Sequence, residues 1–456
     1  MAPIWRILLL LLVGSTAGLK FANFNARVKT RGLIATRIPA EGVIGKEVVP
    51  EKKATGATAA ESTANLVKSV VGAGVLSLPA GVAAGTGLVP AIVLTCVLGA
   101  YSSYTFSLIG RICNDVGAGS FRELGEKTRG PRFAKALDLL VCTKTFICCL
   151  AYSIVIADTF SSLAGAVGIP AHIATRNNVL FSMTALVVTP LTCLKDLSAF
   201  AVTSALGTIG MIYTAAFMIF RSLDKTYTAG GKFASLVAST STPMSLWKMS
   251  PKSLVLTGTL STAFIAHYNA PRFYAQLQDA TPKRFIKMVN NGFAISVAIF
   301  AAVMASGYAT FGSACQGLIL NNYAPGDPLA FAARVAVGGA IVCTYPLVFD
   351  GLRVGVLSIT KREDSVKFPN ARSRTHAALL TAVTALAVLV KDVGFVSSLS
   401  GALFGSILIY VVPSILYLSS RSGLEDKGSN FESLFAKFTI GVGAALTVLG
   451  TKLVLF

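Results

Sequence analysis

Lys68, Asp158 and His267 are ionisable side chains that stand within long apolar stretches of the chain. Charged groups inside a bilayer are costly, so such residues are candidates for function, and the chemistry they could perform is the transfer of a coupling ion or proton. His267 titrates near neutral pH when unperturbed and could accept and release a proton. A lone His in a span is more often a hydrogen-bonding structural group, so both roles are open.

The other charged candidates, Lys68 and Asp158, need polar or oppositely charged groups near them. Lys68 lies one turn before Gly72, and it either faces a polar site or snorkels to the membrane interface. Asp158 is the most deeply placed carboxylate and must be paired, neutral or exposed to water. Its candidate partner is Lys68, unless it lies near a helix end where its cost is small. Asp350 and Arg353, three residues apart, are predicted to neutralise each other on one helix face.

An interrupted apolar segment positions the first of these groups. Residues 65–79 are long and apolar enough to belong to a membrane span, yet they contain Gly72, Gly74 and Pro79, which weaken or end a helix. At membrane depth, freed backbone groups are tolerated where protein or a water-filled cavity satisfies them, so the pattern indicates a cavity with something bound in it. The alternative is that the two glycines only allow close helix packing.

A second interrupted segment follows five spans later. Residues 261–272 break an apolar run with His267, Asn269 and Pro271. Inverted-repeat transporters place broken helices at corresponding positions of their two halves, so the first break predicts this one. The alternative is that residues 267–272 merely end the span at the interface.

Two such breaks predict a site at the middle of the membrane, where a helix N-terminus with its partial positive charge faces a substrate carboxylate. The candidate substrate-binding residues lie at or beside the breaks: Val71, Gly72, Ala73, Gly74, Val75, Ser77, Thr262, Phe264 and His267.

Composition indicates an all-α polytopic membrane protein. Hydrophobic residues make up 54% of the chain and charged residues 13%, and the apolar runs are about twenty residues long. The net charge of +20 comes from 40 Lys and Arg against 20 Asp and Glu. Because most of these bases lie between the apolar runs, they are better explained by orientation and contact with the lipid bilayer than by nucleic acid. With three histidines in the chain, we expect no metal centre and no other cofactor.

Length and hydropathy predict about eleven spans. They lie near residues 63–84, 86–109, 134–167, 179–194, 197–220, 254–277, 285–311, 328–359, 376–390, 393–418 and 435–455.

Basic residues cluster in alternate connections, which sets the orientation. Residues 111–135, 272–287 and 361–374 are rich in Lys and Arg, and the intervening connections are poor in them, apart from residues 221–252. By the positive-inside rule, the basic side is the cytosol or its topological equivalent, and the first span begins there.

The N-terminal region carries two further predictions. Residues 1–18 have a basic start, a short apolar run and small residues, which is typical of a cleavable signal. Residues 19–61 are basic and aperiodic, as in a disordered or transit-like extension, and residues 62–456 form the transmembrane domain. A cleaved signal would place the start of the first span on the side opposite to the basic one. The compartment therefore stays open between a vacuolar or other endomembrane, the plasma membrane and a plastid envelope.

Four blocks of sequence carry a resemblance to a known family. They are residues 65–79, residues 264–274, residues 307–312 with 319–323, and Tyr345-Pro346 followed by Arg353. With this spacing the chain resembles the amino acid/auxin permease family, which includes sodium-coupled neutral and vacuolar amino acid transporters, over roughly residues 60–456. The resemblance implies about eleven helices in a leucine-transporter-like five-plus-five inverted repeat with one extra helix.

The resemblance also bears on the coupling ion. In sodium-coupled members an Asn of the first span and a Thr before the Pro of the eighth are associated with the ion site. Thr344 matches the second position, but Lys68 stands at the first. An ammonium there would repel sodium and could take its place, which favours proton coupling or no ion.

The function that the resemblance implies is secondary active or facilitative transport of amino acids by alternating access. The candidate ion-coupling residues are Lys68, Asp158, His267 and Thr344. An alternative is an amino-acid-sensing transceptor with the same fold, which would signal through a docking tail such as residues 19–61. An enzyme is not expected, because no nucleophile and base pair surrounds His267 and Asn269.

Overall fold

The computed structural model describes residues 56–194, 199–228, 230–236, 243–362, 370–421 and 430–456. The predicted signal, residues 1–18, lies outside the described residues. The same holds for residues 19–55 of the predicted extension, and with them for most of the docking tail that the sensor alternative needs.

The first described helix begins inside the predicted extension. Thr58 caps it, since Thr58 Oγ1 accepts from the Glu61 N–H at 3.2 Å while Glu61 Oε2 accepts from the Thr58 N–H at 2.9 Å. This Thr-x-x-Glu pair is a capping box, and it satisfies two N–H groups that would otherwise lack partners. This capped helix therefore begins at Ala59, before the predicted start of the transmembrane domain at position 62.

The described residues fold as helices and connections. The first part holds α1 (Ala59–Val70), α2 (Leu78–Ala83), α3 (Leu88–Val116), α4 (Phe121–Arg129), α5 (Pro131–Ala166), α6 (Arg176–Met183), α7 (Thr189–Cys193) and α8 (Ala199–Leu223). The second part holds α9 (Ser253–Phe264), α10 (Ala270–Gln276), α11 (Pro282–Phe311), α12 (Pro328–Ile359), α13 (Ala371–Leu389), α14 (Val393–Ser400), α15 (Val412–Arg421) and α16 (Asn430–Leu455).

Short segments of other helix types connect or interrupt these elements. The 3-10 segments are Ala73–Ser77, Ala234–Leu236, His267–Asn269, Gly312–Ala314 and Ile319–Asn322, and the π segments are Thr184–Val188, Gly401–Gly405 and Ile407–Val411. Within the described ranges, β structure is confined to two isolated bridges, Ala57 with Leu277 and Thr86 with Met249.

The chain is therefore an all-helical, multi-pass membrane protein, as the composition predicts. Six of the described helical segments are long and apolar enough to cross a bilayer, namely α3, α5, α11, α12, α16 and the continuous segment Val393–Arg421, which joins α14, two π segments and α15. Helices α1 and α2 add a seventh candidate if this pair, bent by 46°, is one span. Helices also occupy the other predicted positions, but they are shorter or more broken, so the count of eleven crossings stays a prediction. One helix was not predicted: α4 lies in the basic connection after α3 and buries Phe121 and Leu124.

Small residues bring α9 and the segment after α14 into direct backbone contact. A methyl group added at Gly401 would lie 1.7 Å from the carbonyl oxygen of Gly258, and one added at Gly258 would lie 2.6 Å from the carbonyl oxygen of Ser398. Lipid gives little hydrophobic drive for helix association, so membrane helices gain contact by close approach at such residues. This packing fixes the position of α9, which carries the second break.

The longest helices surround the two broken segments. Helix α12 packs against α5 and α8, and α11 packs against α3 and α1. Helix α9 packs against α14 and against the 3-10 segment that follows α1. The two interrupted segments therefore lie side by side within the protein.

Candidate functional site

The first break separates α1 from α2. Helix α1 ends at Val70, and Gly72 follows in an extended conformation with φ −116° and ψ −170°. The Gly72 N–H donates to the Val70 carbonyl at 3.0 Å, so the carbonyl of Lys68 loses the donor that a continuous helix would supply. Pro79, in the first turn of α2, fits there because its missing N–H is not needed.

Close packing does not explain the glycines of this break. A methyl group added at Gly72 would meet nothing within 4 Å, and one added at Gly74 would make an ordinary contact of 3.6 Å with Cγ2 of Thr262. Gly72 therefore borders open space, and Gly74 lies against the helix that carries the second break. The packing alternative is wrong for Gly72.

The second break separates α9 from α10. Helix α9 ends at Phe264, the backbone unwinds through Ile265 and Ala266, and a 3-10 turn over His267–Asn269 leads into α10. Pro271 lies in the first turn of α10, which continues to Gln276. The helix is interrupted at residues 265–269 and resumes over Ala270–Gln276, whose Arg272 and Gln276 are exposed, so a span that continues through the break stays a prediction.

Both breaks line one cavity of about 550 Å³. The lining includes these predicted binding or ion-coupling residues: Lys68, Gly72, Ala73, Gly74, Thr262 and Thr344. It also includes Tyr152 and Lys144 of α5 and Tyr268 of the second break. A chamber of this size suits a small solute held between polar groups at a membrane break.

One end of the cavity reaches the basic side of the protein. Ala57, Arg272 and Gln276 line it there, and they lie where the first and sixth predicted spans meet the basic connections. The Ala57 N–H also donates to the Gln276 carbonyl at 2.9 Å, which holds these two ends together. The cavity therefore opens toward the side that the positive-inside rule assigns to the cytosol or its equivalent.

Lys68 is half-buried in the last turn of α1 and lines the cavity. Its position at a helix C-terminus is favourable, because the free carbonyls there carry partial negative charge. Among the described residues, no Asp or Glu lies within ion-pairing distance of its ammonium. Lys68 thus faces the polar chamber, although its stem can still extend toward the opening.

Lys144 is a cavity residue that the sequence reasoning missed. Its side chain is nearly buried, at 8% exposure, and its Nζ donates to the Tyr268 hydroxyl at 3.3 Å and lies 5.0 Å from the centre of that ring. The signal was available, since a Lys inside the third predicted span is an intramembrane charge of the same kind as Lys68.

Two threonines line the cavity through helices beside the breaks. Thr344 Oγ1 donates to the Ala340 carbonyl at 2.7 Å, and Thr262 Oγ1 donates to the Ser397 carbonyl at 2.5 Å. Each hydroxyl keeps lone pairs free to accept from a solute or to bind a cation. Two residues after Thr344, Pro346 lies inside α12 and lacks the N–H that would bond the Val342 carbonyl.

Asp158 is paired with Arg176, so the predicted pairing with Lys68 is wrong. Arg176 Nε donates to Asp158 Oδ1 at 2.7 Å, and Asn321 Nδ2 donates to Asp158 Oδ2 at 3.3 Å. The carboxylate lies near the end of α5 that is remote from the basic connections and does not line the cavity. The alternative that Asp158 sits near a helix end is the one that the structure supports.

His267 is fully buried and does not line the cavity in this conformation. Its Nε2 lies 3.1 Å from the Ser102 carbonyl oxygen and 3.0 Å from Thr105 Oγ1. Because a carbonyl can only accept, Nε2 carries the proton, and Phe106 packs edge-on against the ring. This arrangement ties the second break to α3 and favours a structural role over proton carriage.

The other predicted binding residues are packed in the interior. Val71, Val75, Ser77 and Phe264 are all buried and outside the cavity lining. Phe264, for example, packs on Phe300 with ring centres 4.9 Å apart. Their roles as substrate ligands stay predictions.

The predicted neutralisation within α12 is confirmed. Arg353 donates to Asp350, and the same guanidinium group lies 3.4 Å from the Thr192 carbonyl oxygen and 3.4 Å from His376 Nδ1. The pair therefore joins the basic-side ends of three helices and is remote from the cavity lining.

The family model and the relatives of this chain agree with the resemblance seen in the sequence. The family model described as transmembrane amino acid transporter protein matches residues 55–455. Sodium-coupled neutral amino acid transporter 11 of Rattus norvegicus is 26% identical over 396 residues, which cover 85% of this chain and 82% of that protein. Vacuolar amino acid transporter 7 of Saccharomyces cerevisiae is 27% identical over 306 residues, which cover 66% of this chain and 59% of that protein. A crystal structure of MhsT in complex with L-phenylalanine aligns with a TM-score of 0.49 and 12% identity over 86% of this chain and 98% of that chain.

Proposed function

The chain belongs to the transmembrane amino acid transporter protein family, and from that premise we propose that it carries amino acids across its membrane by alternating access. The observation that carries the proposal is that two interrupted helices line one cavity of about 550 Å³. Backbone groups freed at these breaks are available to a solute in a region where lipid offers none.

The helix ends at the breaks match the two charged groups of an amino acid. Helix α9 ends at the cavity with carbonyl groups, whose partial negative charge suits the α-ammonium, while the carbonyl groups at the end of α1 neighbour the Lys68 ammonium. The segments that follow, beginning at Ala73 and His267, present N–H groups with partial positive charge, which suits the α-carboxylate. One amino acid backbone can thereby satisfy both breaks at once.

We further propose about eleven membrane crossings, ten of them in two inverted repeats. The breaks stand five predicted spans apart, as such repeats require. Contacts between segment ends are consistent with regular alternation across the membrane. Arg111 near the end of α3 pairs with Glu432 at the start of α16 at 2.7 Å, both on the basic side, and Asp158 pairs with Arg176 on the other.

The conformation described here corresponds to the state open to the basic side. Ala57, Arg272 and Gln276 line the cavity at that end. On the opposite side, Arg176 binds both Asp158 and the Ala387 carbonyl, the latter at 2.9 Å. Alternating access requires the cavity to close at its basic-side end and to open at the opposite end. The contacts of Arg176 with Asp158 and Ala387 then break.

Coupling to protons, or to no ion, is favoured over coupling to sodium. Lys68 occupies the cavity beside carbonyl groups that would otherwise be available to a cation, and Thr344 lines the same chamber. A resident ammonium supplies the positive charge at this place and repels a second one.

Reconstituted transport tests the proposal. The full-length protein is placed in liposomes, and uptake of each labelled proteinogenic amino acid is measured with a sodium gradient and a pH gradient imposed separately. We expect saturable accumulation of at least one amino acid, stimulated by the pH gradient or by neither gradient. Liposomes without protein are the control, and the absence of flux for every amino acid under all conditions would overturn the proposal.

A further inference from the structure

We propose that the cavity selects amino acids whose side chain ends in a carboxylate, and that Lys68 and Lys144 bind this carboxylate. The inference rests on the proposed function and specifies the substrate class of the same cavity.

The charges that line the cavity all have one sign. Lys68, Lys144 and Arg272 line it, and no Asp or Glu stands among the described residues of its lining. Arg272 is exposed at the opening, where water screens its charge. Lys68 and Lys144 lie deeper, where an unpaired ammonium is costly and an anion is attracted strongly.

A zwitterion with an uncharged side chain would leave this excess charge unbalanced. Its ammonium and carboxylate are both satisfied by the helix ends at the two breaks, as argued above, and its side chain brings no negative charge. A second carboxylate supplies the missing charge. The two lysines are then the only ammonium groups among the described lining residues that lie inside the chamber to receive it.

The two lysines line the same cavity from different helices. Lys68 lies in the last turn of α1, which ends at the first break. Lys144 donates to the hydroxyl of Tyr268, a residue of the second break. Each lysine is therefore anchored next to a different break, on two helices that face the same chamber.

Lys144 also has hydrogen-bonding capacity to spare. Its ammonium has three donors, and one of them meets the Tyr268 hydroxyl at 3.3 Å. No other hydrogen bond to a described residue accounts for the remaining two. A substrate carboxylate could accept both without displacing Tyr268, whose ring stays 5.0 Å from the ammonium.

The test compares two isosteric substrates in one preparation of the full-length protein in liposomes. Glutamate and glutamine differ in charge and scarcely in shape, so the ratio of their uptake rates reports selectivity regardless of how much protein is folded. We expect the unaltered protein to prefer glutamate or aspartate over glutamine and asparagine. The variants Lys144→Met and Lys68→Met should each lower the glutamate to glutamine ratio at least about tenfold.

Two further variants keep the test decisive. Lys144→Arg retains the positive charge and should retain most of the preference. Lys135→Met is a matched control, because Lys135 lies on α5 as well but is exposed and outside the cavity lining. It should leave the ratio unchanged.

The outcomes separate this inference from the proposed function. Transport of glutamine or another neutral amino acid with no preference for glutamate or aspartate would overturn the inference and leave the function standing. A preference for glutamate that survives both Lys→Met changes would overturn the role of the lysines. A lack of flux for every amino acid would overturn the proposed function itself.

Discussion

Arg176 Nε lies 2.7 Å from Asp158 Oδ1, and the pair joins the end of α5 to the start of α6 on the side remote from the cavity opening. The side chains are 19% and 12% exposed, so water screens the pair only in part. Asn321 and the Ala387 carbonyl bind the same two side chains, at 3.3 and 2.9 Å. One ion pair thereby holds four parts of the chain together.

Asp158→Asn should destabilise the protein by about 1–3 kcal/mol, since it leaves the Arg176 guanidinium partly buried without a counter-charge. The double variant Asp158→Asn with Arg176→Gln should cost less than the sum of the two single changes. Thermal unfolding in detergent measures all three. Asp279→Asn is the matched control, because Asp279 pairs with Arg284 at 3.6 Å in an exposed position where an ion pair contributes little. Additive effects of the two single changes would contradict the coupling.

Two glycines of the membrane segments should respond in opposite ways to an added methyl group. Gly72→Ala meets no atom within 4 Å and needs no unusual backbone angle, so stability should change by less than about 0.5 kcal/mol. Gly401→Ala places its methyl group 1.7 Å from the Gly258 carbonyl oxygen and should cost at least about 3 kcal/mol.

Uptake measurements test whether Gly72 borders the path of the solute. Gly72→Leu fills part of the cavity without disturbing a packed contact, so it should abolish transport in a protein that unfolds at a normal temperature. A Gly72→Leu variant with unaltered uptake would contradict the assignment of this cavity as the solute path.

His267 should prove to be structural. His267→Ala removes a buried donor to the Ser102 carbonyl and leaves a void, which should cost at least about 2 kcal/mol. His267→Gln can retain a donor, and its uptake should keep the pH dependence of the unaltered protein, because the ring lies outside the cavity lining. Initial rates between pH 5 and 8 measure this. Loss of the response to a pH gradient in folded His267→Gln would instead identify His267 as the proton carrier.

Most of the fold could be predicted from the sequence, because membrane helices are recognisable in a sequence by their length and hydropathy. Both breaks were predicted as well, since Gly72 and Pro271 disrupt helices that lipid would otherwise enforce. Helix α4 was not predicted, because it is short and rich in charge. It is stabilised by the Ser120 cap and by the burial of Leu124. Its place is set by tertiary packing, which periodicity in so short a segment does not reveal.

The cavity was harder to predict than the breaks. Which side chains of a broken segment face inward depends on local backbone angles, so Gly72 and Thr262 line the cavity while Val75 and Phe264 are packed away from it. Pairing across helices is likewise invisible in one sequence. Asp158 finds Arg176, which lies 18 residues away, and the sequence provides no reason to prefer it over Lys68.

Acid should destabilise the protein on the side remote from the basic connections, through Asp327. This residue caps α12 and is fully buried. Burial alone raises the pKa of this carboxyl, but hydrogen bonds from Arg221 at 2.6 and 2.8 Å and from Tyr227 at 3.0 Å outweigh it, and the net effect lowers the pKa. A carboxyl with a lowered pKa in the folded state stabilises the protein above its unfolded pKa of about 3.9, and this stabilisation is lost as the pH falls through the folded value.

Asp327→Asn should therefore destabilise the protein by about 3 kcal/mol at pH 7, and it should flatten the loss of stability below pH 4 relative to the unaltered protein. Thermal unfolding at several pH values between 7 and 3 measures both effects. The exposed Asp279→Asn control should retain the acid sensitivity of the unaltered protein. Equal acid sensitivity of Asp327→Asn and the unaltered protein would show that other carboxyl groups dominate.

Replacing Lys68 with Asn should make uptake depend on sodium. Lys68 lies in the last turn of α1, beside a carbonyl that has lost its helical donor, and Thr344 lines the same cavity. Unwound carbonyls and helix C-termini of this kind coordinate sodium in transporters that have broken helices. Once the ammonium is removed, those oxygens and the Asn side chain become available to a cation.

Initial uptake rates in sodium and in potassium solutions, without a pH gradient, should be equal for the unaltered protein and should differ for Lys68→Asn. Lys135→Asn, on the exposed face of α5, should behave as the unaltered protein does. Sodium-driven uptake by the unaltered protein would show that the Lys68 ammonium does not exclude the ion.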